Sequence, residues 1–288
     1  MHNSQPSEDA STPPRGLIIN VRTAGDCFDF LCTRASIRAL FRPTVAMRPS
    51  LLLLTVALIL CPSPAGVLRA AGRYAVFKSV DSGRSWVRAD KGIAREHRIN
   101  AFGSLGKAVV AGTDSGIYIS LDGAEDWQPV TGAAQSSRRI ISFVAQATKL
   151  FAGTDGQGML VSSDTGMSWV VNRSFSSKKV RCLLAHKDLL YAGTDTDGVF
   201  SSTDGGQSWS SFNEGLPANA QIFAMSMAGD RLFAGLYSKG LYVWKEPEQR
   251  WTRTGPVRPL ALATMGTVLI AGHNPGGIFW SEDSGAPW

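Results

Sequence analysis

From residue 98 onward the chain alternates short apolar runs with turn residues, and this pattern predicts β-strands. Residues 98–130 show it most clearly. Short apolar runs bounded by Gly, Asp and Ser are typical of strands and hairpins, and no helical period interrupts them. One run, residues 108–111, is continuously apolar and therefore predicts a strand buried on both faces. The segment divides into four predicted strands, which begin near residues 99, 108, 117 and 127.

The four-strand pattern belongs to an internal repeat. A string Ser-x-Asp-x-Gly-x-x-Trp, or a relative of it, ends at tryptophans that are spaced 41, 42, 40, 42 and 37 residues apart. A second marker, Ala-Gly-Thr-Asp or a relative, begins at alanines spaced 41, 40, 42 and 37 residues apart. Two markers that recur at the same spacing along a chain indicate repeated supersecondary units. The Asp and Trp positions of the string are Asp81 and Trp86, Asp122 and Trp127, Asp164 and Trp169, Asp204 and Trp209, and Asp283 and Trp288, and a decayed copy ends at Trp251.

Four strands in a unit of about 40–45 residues predict the blade of a β-propeller. We therefore expect an all-β protein, a propeller of four-stranded antiparallel blades. Five units are complete in their strand signals: 98–130, 139–172, 179–213, 221–254 and 258–288. An incomplete unit precedes them, with strands predicted at 67–70, at 74–78 and from Trp86. Six blades with one incomplete is our prediction, and five to seven blades are compatible with the repeat.

The residues of the string suit a tight hairpin turn. Its Asp can accept hydrogen bonds from the backbone of its own turn, its Gly permits a positive φ, and its Trp buries a large ring. On these residues the string resembles the Asp-box (bacterial neuraminidase) repeat, which occurs in the propellers of sialidases, sortilin-like receptors, xyloglucanase-type hydrolases and photosystem II assembly factors. The resemblance covers about residues 66–288, and Ala124 replaces the Gly in one copy. It implies that the box residues are structural.

The first 65 residues differ from the repeat and indicate export. Residues 51–60 are an apolar stretch that follows Arg48 and precedes small residues up to Ala65. A bilayer span needs about 20 apolar residues, so the stretch is too short to cross one, but it fits a signal peptide. We expect a leader over 1–46 that is disordered or not translated, a signal peptide over 47–65, and a periplasmic or secreted propeller over 66–288. A lipoprotein at Cys61 and a signal anchor are the alternatives.

Charge and candidate chemistry narrow the function classes. The net charge of +6 is divided equally, +3 in residues 1–71 and +3 in residues 72–288, and mixed signs in the repeat region give no reason to expect nucleic acid as a partner. His97, His186 and His273 lie in different repeats without ligand spacing, so we predict no metal and no cofactor. The arginine motif and the Tyr–Glu setting of a sialidase are not recognisable, and we assign no catalytic residue.

Two further columns appear when the repeats are read in register. The column before the first strands holds Arg98, Arg139, Lys179, Gln221 and Arg258, and the column between the second and third strands holds Asp114, Asp155, Asp195, Tyr237 and Asn274. Up-and-down strands bring both columns to one face, where they form either a ring of salt bridges or an electropositive entrance for an anionic ligand or protein. The better binding candidates lack a partner in this scheme: Arg138, Lys178, Arg181 and Arg258.

These observations favour an exported, non-catalytic propeller that binds a protein partner or an anionic ligand. The resemblance to photosystem II assembly factors implies a scaffold that can contact membrane proteins at the extracytoplasmic face. The alternative is a glycoside hydrolase, exo-sialidase-like, that acts on extracellular glycans. Two carboxylates about 5–10 Å apart beside an open cleft on the same face would favour that alternative.

Overall fold

In the computed structural model, the protein folds into antiparallel β-sheets. The structure describes residues 17–22, 74–81, 83–132, 138–175, 178–255, 257–273 and 276–282. A 3-10 turn covers Arg173–Phe175, and within these ranges no helix has the length and apolar character that a membrane span requires. The predicted all-β fold of antiparallel blades is confirmed.

Six sheets follow one another along the chain, and we number them blades 1 to 6. Blade 1 contains β1 (Leu17–Arg22), β2 (Tyr74–Ser79) and β3 (Val87–Arg88). Blade 2 contains β4 (Ile99–Leu105), β5 (Ala108–Thr113), β6 (Ile117–Ser120) and β7 (Gln128–Pro129). Blade 3 contains β8 (Ile140–Gln146), β9 (Lys149–Thr154), β10 (Met159–Ser162) and β11 (Val170–Asn172).

The remaining blades continue the same order, with strands adjacent in the chain adjacent in the sheet. Blade 4 contains β12 (Val180–His186), β13 (Leu189–Thr194), β14 (Val199–Ser202) and β15 (Ser210–Ser211). Blade 5 contains β16 (Ile222–Ala228), β17 (Arg231–Leu236), β18 (Gly240–Lys245) and β19 (Arg250–Gly255). Blade 6 contains β20 (Pro259–Met265), β21 (Val268–His273) and β22 (Ile278–Ser281).

Blade 1 differs from the sequence prediction in its first strand. Leu17–Arg22 pairs antiparallel with Tyr74–Ser79, so a segment of the expected leader stands where we predicted a strand at 67–70. The run Leu-Ile-Ile-Asn-Val has strand propensity, and its distance from the repeat is why the repeat pattern did not include it. The predicted strand at 67–70, the predicted signal peptide at 47–65, and Asp283 and Trp288 lie outside the described residues.

The Ala-Gly-Thr marker lies where one blade meets the next. Its glycine faces the first strand of the following blade so closely that a Cβ on Gly112 would lie 2.6 Å from Ile140 Cγ2, and a Cβ on Gly193 would lie 2.6 Å from Ile222 Cγ2. The missing side chain of Gly112 and of Gly193 therefore leaves room for an isoleucine side chain of the next blade. The cores lie between the sheets: one cluster joins Val110 of blade 2 to Leu150 and other side chains of blade 3.

The box closes its own turn with side-chain hydrogen bonds. In blade 3, Ser162 Oγ donates to Asp164 Oδ1 (2.7 Å) and accepts from the N–H of Gly166 (2.8 Å). The N–H and Oγ of Ser168 donate to the same carboxylate, at 2.9 Å and 2.6 Å. Related bonds surround Asp81, Asp122 and Asp204. Gly166 has a φ of 97°, and Ala124 adopts the corresponding left-handed conformation at 67°.

The described tryptophans of the repeat use their indole N–H groups in two ways. Three donate to the glycine carbonyl of their own box: Trp86, Trp169 and Trp209. Trp127 donates to the carbonyl of Ala89 (2.8 Å), and Trp251 donates to the carbonyl of Phe212 (2.7 Å). Both acceptors belong to the preceding unit of the chain, so these two buried rings join neighbouring blades.

Candidate functional site

The two columns of the repeat lie side by side on one face, which we call the loop face. In four successive blades the N–H of the second-column residue donates to the carbonyl of the first-column residue. The bonds run from Asp114 to Arg98 (3.1 Å), from Asp155 to Arg139 (2.9 Å), from Asp195 to Lys179 (3.1 Å) and from Tyr237 to Gln221 (3.1 Å). The box turns lie at the other end of the strands, on what we call the box face. The backbone therefore holds each pair of side chains at the loop face.

The ion pairs cross between blades as well as forming within them. Arg139 Nη1 lies 3.0 Å from Asp155 Oδ2, as the register predicts. Lys179 was expected to pair with Asp195 of its own repeat, and this is wrong: its Nζ lies 2.6 Å from Asp155 Oδ1 on the preceding blade. Arg181 Nε forms the ion pair with Asp195 instead. Asp155 thus has two cationic partners, and the pairs link blades 3 and 4.

Three of the four cations without a partner in the register, Arg138, Lys178 and Arg181, have one in the structure. Lys178 Nζ lies 2.8 Å from Asp197 Oδ2. Asp197 comes two residues after the column residue Asp195 and is not a member of either column. Arg138 Nη1 donates to the carbonyl of Gln157 (3.0 Å). The backbone N–H of Arg258 donates to His273 Nδ1 (2.9 Å), while Asn274, the column residue opposite it, lies outside the described residues.

Electrostatics at Asp155 favour a charged carboxylate. Burial alone would raise the pKa of Asp155, but the hydrogen bond and charge of Lys179 and the charges of Arg139 and Arg181 outweigh it and lower that pKa below its usual value. A general acid in a glycosidase needs a raised pKa. Asp155 is therefore suited to be a counter-ion for the cations of this face.

Blade 2 departs from the ion-pair pattern. Asp114 Oδ1 accepts a hydrogen bond from the backbone N–H of Arg98 (3.1 Å), and within the ranges that the structure describes the guanidinium of Arg98 makes no ion pair with it. Arg98 Nε and Asn100 Nδ2 are buried and have no hydrogen-bond partner among the residues that the structure describes. Buried donors in native proteins are nearly always satisfied, so these two call for a further acceptor, such as a water or a ligand.

A bulge recurs at the start of the first strand in blades 2 to 6. The pairing register shifts by one residue at the same place in each blade. The extra residues are Asn100, Ile141, Arg181, Phe223 and Leu260. A bulge redirects a side chain, here at the loop-face end of the strand. Sequence reasoning missed this third column because the bulge leaves the spacing of the repeat unchanged.

The third column meets the second in an aromatic stack. The guanidinium carbon of Arg181 lies 4.2 Å from the centre of the Phe223 ring, and Phe223 stacks on Tyr237 with 4.8 Å between ring centres. The side chain of Tyr237 is 46% exposed. The joint appearance of Gln221 and Tyr237 in the columns was the sequence signal for this change of chemistry.

The loop face thus has two parts of different character. The charged arc consists of Arg98, Asp114, Arg139, Asp155, Lys179, Arg181 and Asp195, and the apolar arc consists of Phe223, Tyr237 and Leu260. Arg181 joins the arcs through its contacts with Asp195 and Phe223. The described residues contain no group of three His, Cys, Asp or Glu side chains that could hold a metal ion. The arrangement offers recognition of charge together with an apolar group.

Comparison with solved structures shows propellers of several functions. The structure "YCF48 bound to D1 peptide" superposes with a TM-score of 0.60 at 15% identity, over 74% of this chain and 73% of that one. The Niastella koreensis GH74 enzyme gives a TM-score of 0.60 at 14% identity, over 75% of this chain and 42% of that one. The GH74 xyloglucanase from Xanthomonas campestris gives 0.56 at 15% identity, over 74% and 41%. Likeness at this identity concerns the fold alone.

The family is decided by sequence. No curated protein matches the chain. Residues 78–288 match the DUF6242 beta propeller domain. This range includes blades 2 to 6 and the last strand of blade 1. The chain therefore belongs to the DUF6242 beta propeller family.

Proposed function

We propose that this protein is an exported propeller that binds a protein partner at its loop face and acts as a binding or assembly scaffold. The observation that carries the proposal is the continuity of the charged arc with the exposed aromatic stack through Arg181. Protein interfaces combine aromatic anchors with Arg and a polar rim. YCF48, a propeller of similar fold, has been solved with a D1 peptide bound, which supports a protein or peptide as the ligand class.

The use of the carboxylates supports binding over hydrolysis. Asp155, Asp195 and Asp197 each face a cation. Glycoside hydrolysis needs two carboxyl groups that flank a sugar bond, one of them a proton donor. The lowered pKa of Asp155 opposes that role. The partners that we propose include membrane proteins at the extracytoplasmic face, in keeping with the apolar stretch at 51–60 and its proposed use in export.

A charge-reversal pair tests the proposal. The loop-face variant carries Arg138→Glu and Lys178→Glu, and the control variant carries Lys107→Glu and Lys187→Glu on the β4–β5 and β12–β13 turns of the opposite face. Both variants change the net charge equally. We expect native proteins that co-purify with the unmodified chain to be lost from the loop-face variant and retained by the control. Equal retention by both variants would contradict the proposal.

The enzyme alternative has its own readout. A panel of fluorogenic glycosides, including a sialoside, is incubated with the purified full chain and with an Asp155→Asn variant. We expect no turnover that depends on Asp155. Turnover by the unmodified chain that disappears in the variant would replace the binding proposal with hydrolysis.

A further inference from the structure

The geometry points to a ligand that presents a carboxylate to Arg98 and Asn100 and a large apolar side chain to the stack of Phe223 and Tyr237; we propose that it is an extended segment of the partner protein. This inference rests on the proposed function and adds the chemistry of the segment to it. It uses residues that neither the repeat nor the ion pairs account for.

Arg98 and Asn100 hold the same two positions in blade 2 that Lys179 and Arg181 hold in blade 4, and Asn100 and Arg181 are both the extra residue of the bulge. In blade 2, Arg98 and Asn100 flank Ile99, which is buried in the core between blades. In blade 4, Lys179 and Arg181 flank buried Val180 in the same way, and both contact loop-face carboxylates. The equivalence of the blades therefore directs Arg98 and Asn100 toward the loop face.

Arg98 Nε and Asn100 Nδ2 are both buried N–H donors, and neither has a hydrogen-bond partner within the described part of the chain. A buried donor without an acceptor is costly, and a carboxylate can accept from several donors at once. The guanidinium adds a positive charge that no ion pair in the described chain neutralises. These groups fit an anionic acceptor, and carboxylate geometry matches an arginine fork.

In the apolar arc, Phe223 contacts the guanidinium of Arg181 and stacks on Tyr237. Tyr237 and Leu260 remain exposed, at 46% and 38%. An exposed, rigid aromatic ring binds an apolar or aromatic side chain with little loss of conformational entropy. The stack is therefore the anchor for a side chain of the segment.

A peptide fits the loop face better than a sugar. A sugar would need acceptors for its hydroxyl groups, but the carboxylates Asp155, Asp195 and Asp197 are held by cations, and Asp114 Oδ1 accepts the backbone N–H of Arg98. The buried donors of blade 2 and the aromatic surface of blade 5 are left for a ligand. A peptide supplies both complements, a carboxylate and an apolar side chain, on one chain. The carboxylate can belong to an Asp or Glu side chain or to a C-terminus.

The experiment uses labelled synthetic peptides of eight residues and the full chain, with binding followed by fluorescence polarisation. Four Gly/Ser-based peptides are compared. The first has Phe, an internal Glu and an amidated end, the second has Phe and a free C-terminus, the third has Phe and an amidated end without Glu, and the fourth has Glu and an amidated end without Phe. The first two are made with one to five residues between the Phe and the carboxylate. We expect binding only when Phe and a carboxylate are both present, and the first two peptides tell which source of carboxylate is used.

Variants of the protein assign the two contacts. We expect Arg98→Met to weaken binding about tenfold or more, because a charged hydrogen bond is lost, and Tyr237→Ala to weaken it by a similar factor. Tyr237→Phe should keep binding because the ring remains. The matched controls are Lys187→Met and Leu121→Ala on the box face, which should leave binding unchanged, and thermal melting verifies that all variants fold.

Two results would overturn the inference: no binding of any peptide at millimolar concentration, or binding that Arg98→Met and Tyr237→Ala leave unchanged. The proposed function would still be supported after either result if the Arg138→Glu, Lys178→Glu variant loses its native partners. Loss of the proposed function is separately visible as equal partner retention by the two charge-reversed variants.

Discussion

The two ends of each blade use polar residues in opposite ways. At the box face, Ser and Asp side chains bond to the backbone and to each other within six or seven residues, and the same connections recur around Asp81, Asp122, Asp164 and Asp204. At the loop face, side chains pair across blades and change from one blade to the next. Lys179 reaches the preceding blade, and Tyr237 replaces an Asp. Repetition therefore marks the residues that build the propeller, and departure from it marks the residues available for recognition.

The comparison predicts where a substitution will affect stability and where it will affect binding. The box face and the contacts between blades should control the free energy of unfolding. The exposed side chains of the loop face should contribute little to stability, because solvent screens their ion pairs.

The largest effect is expected for Trp251→Ala. The ring is buried, donates to the carbonyl of Phe212 and packs against Phe212 and Trp244. Removing it should lower the free energy of unfolding by about 3–5 kcal/mol, measured by urea denaturation. The control is Val170→Ala at a side chain that is 66% exposed, which should change it by less than about 0.5 kcal/mol. Equal losses in both variants would contradict the role of the indole.

A second effect is expected for Gly193→Ala between blades 4 and 5. The new Cβ would lie 2.5 Å from Cys182 Sγ and 2.6 Å from Ile222 Cγ2, so the blades must move apart at a cost of about 1–3 kcal/mol. Gly272 has the same place in the repeat, but its Cβ would lie 3.7 Å from Ala261 Cβ, an ordinary contact. Thermal melting should show a loss for the first variant and little change for Gly272→Ala. The reverse order would show that blade spacing is not the constraint.

A pH-dependent effect is expected at Asp164. Hydrogen bonds from Ser168 and Ser162 lower the pKa of Asp164 to about 2, from an ordinary value of 3.8. Because the folded-state pKa is the lower one, the carboxylate stabilises the fold above pH 4, and this contribution disappears as the pH falls from about 4 to about 2. Melting temperatures of the unmodified chain and of Asp164→Asn, measured over this range, should converge at the acid end. A constant difference between them would exclude ionisation as the cause.

The smallest stability effect is expected for Arg139→Ala. Its ion pair with Asp155 is partly exposed, and such pairs contribute about 0–1 kcal/mol. Lys179 also remains beside Asp155 in the variant. Urea denaturation in low and high salt should place the variant within this margin of the unmodified chain. A loss above about 2 kcal/mol would mean that the charged arc is part of the architecture.

The fold was predictable because the repeat records backbone requirements. The Trp spacing and the Ala-Gly-Thr marker predicted blades 2 to 6, and in blades 2 to 5 the marker records the same close approach at Gly112 and its equivalents. The strand at Leu17–Arg22 was missed because it reaches blade 1 from far along the chain, where no repeat marker accompanies it. Long-range pairing of this kind leaves no periodic signal.

The candidate site was predictable only in its location. The two columns predicted the loop face and the Arg139–Asp155 pair. The partners of Lys178, Lys179 and Arg181 depend on which blade each side chain leans toward, and register within one repeat does not contain that information. The stack of Phe223 and Tyr237 depends on a bulge in the first strand. Because blades 2 to 6 all have this bulge, it does not change the spacing between repeats.

Photo-crosslinking from the two faces tests the central claim most directly. A photo-reactive amino acid replaces Tyr237 on the loop face or Met167 on the box face, which are 46% and 54% exposed, and the full chain is irradiated with its native extracts. We predict a discrete crosslinked partner from position 237 and none from position 167. Crosslinking to the same partner from position 167 alone would place the binding surface on the box face and contradict the account.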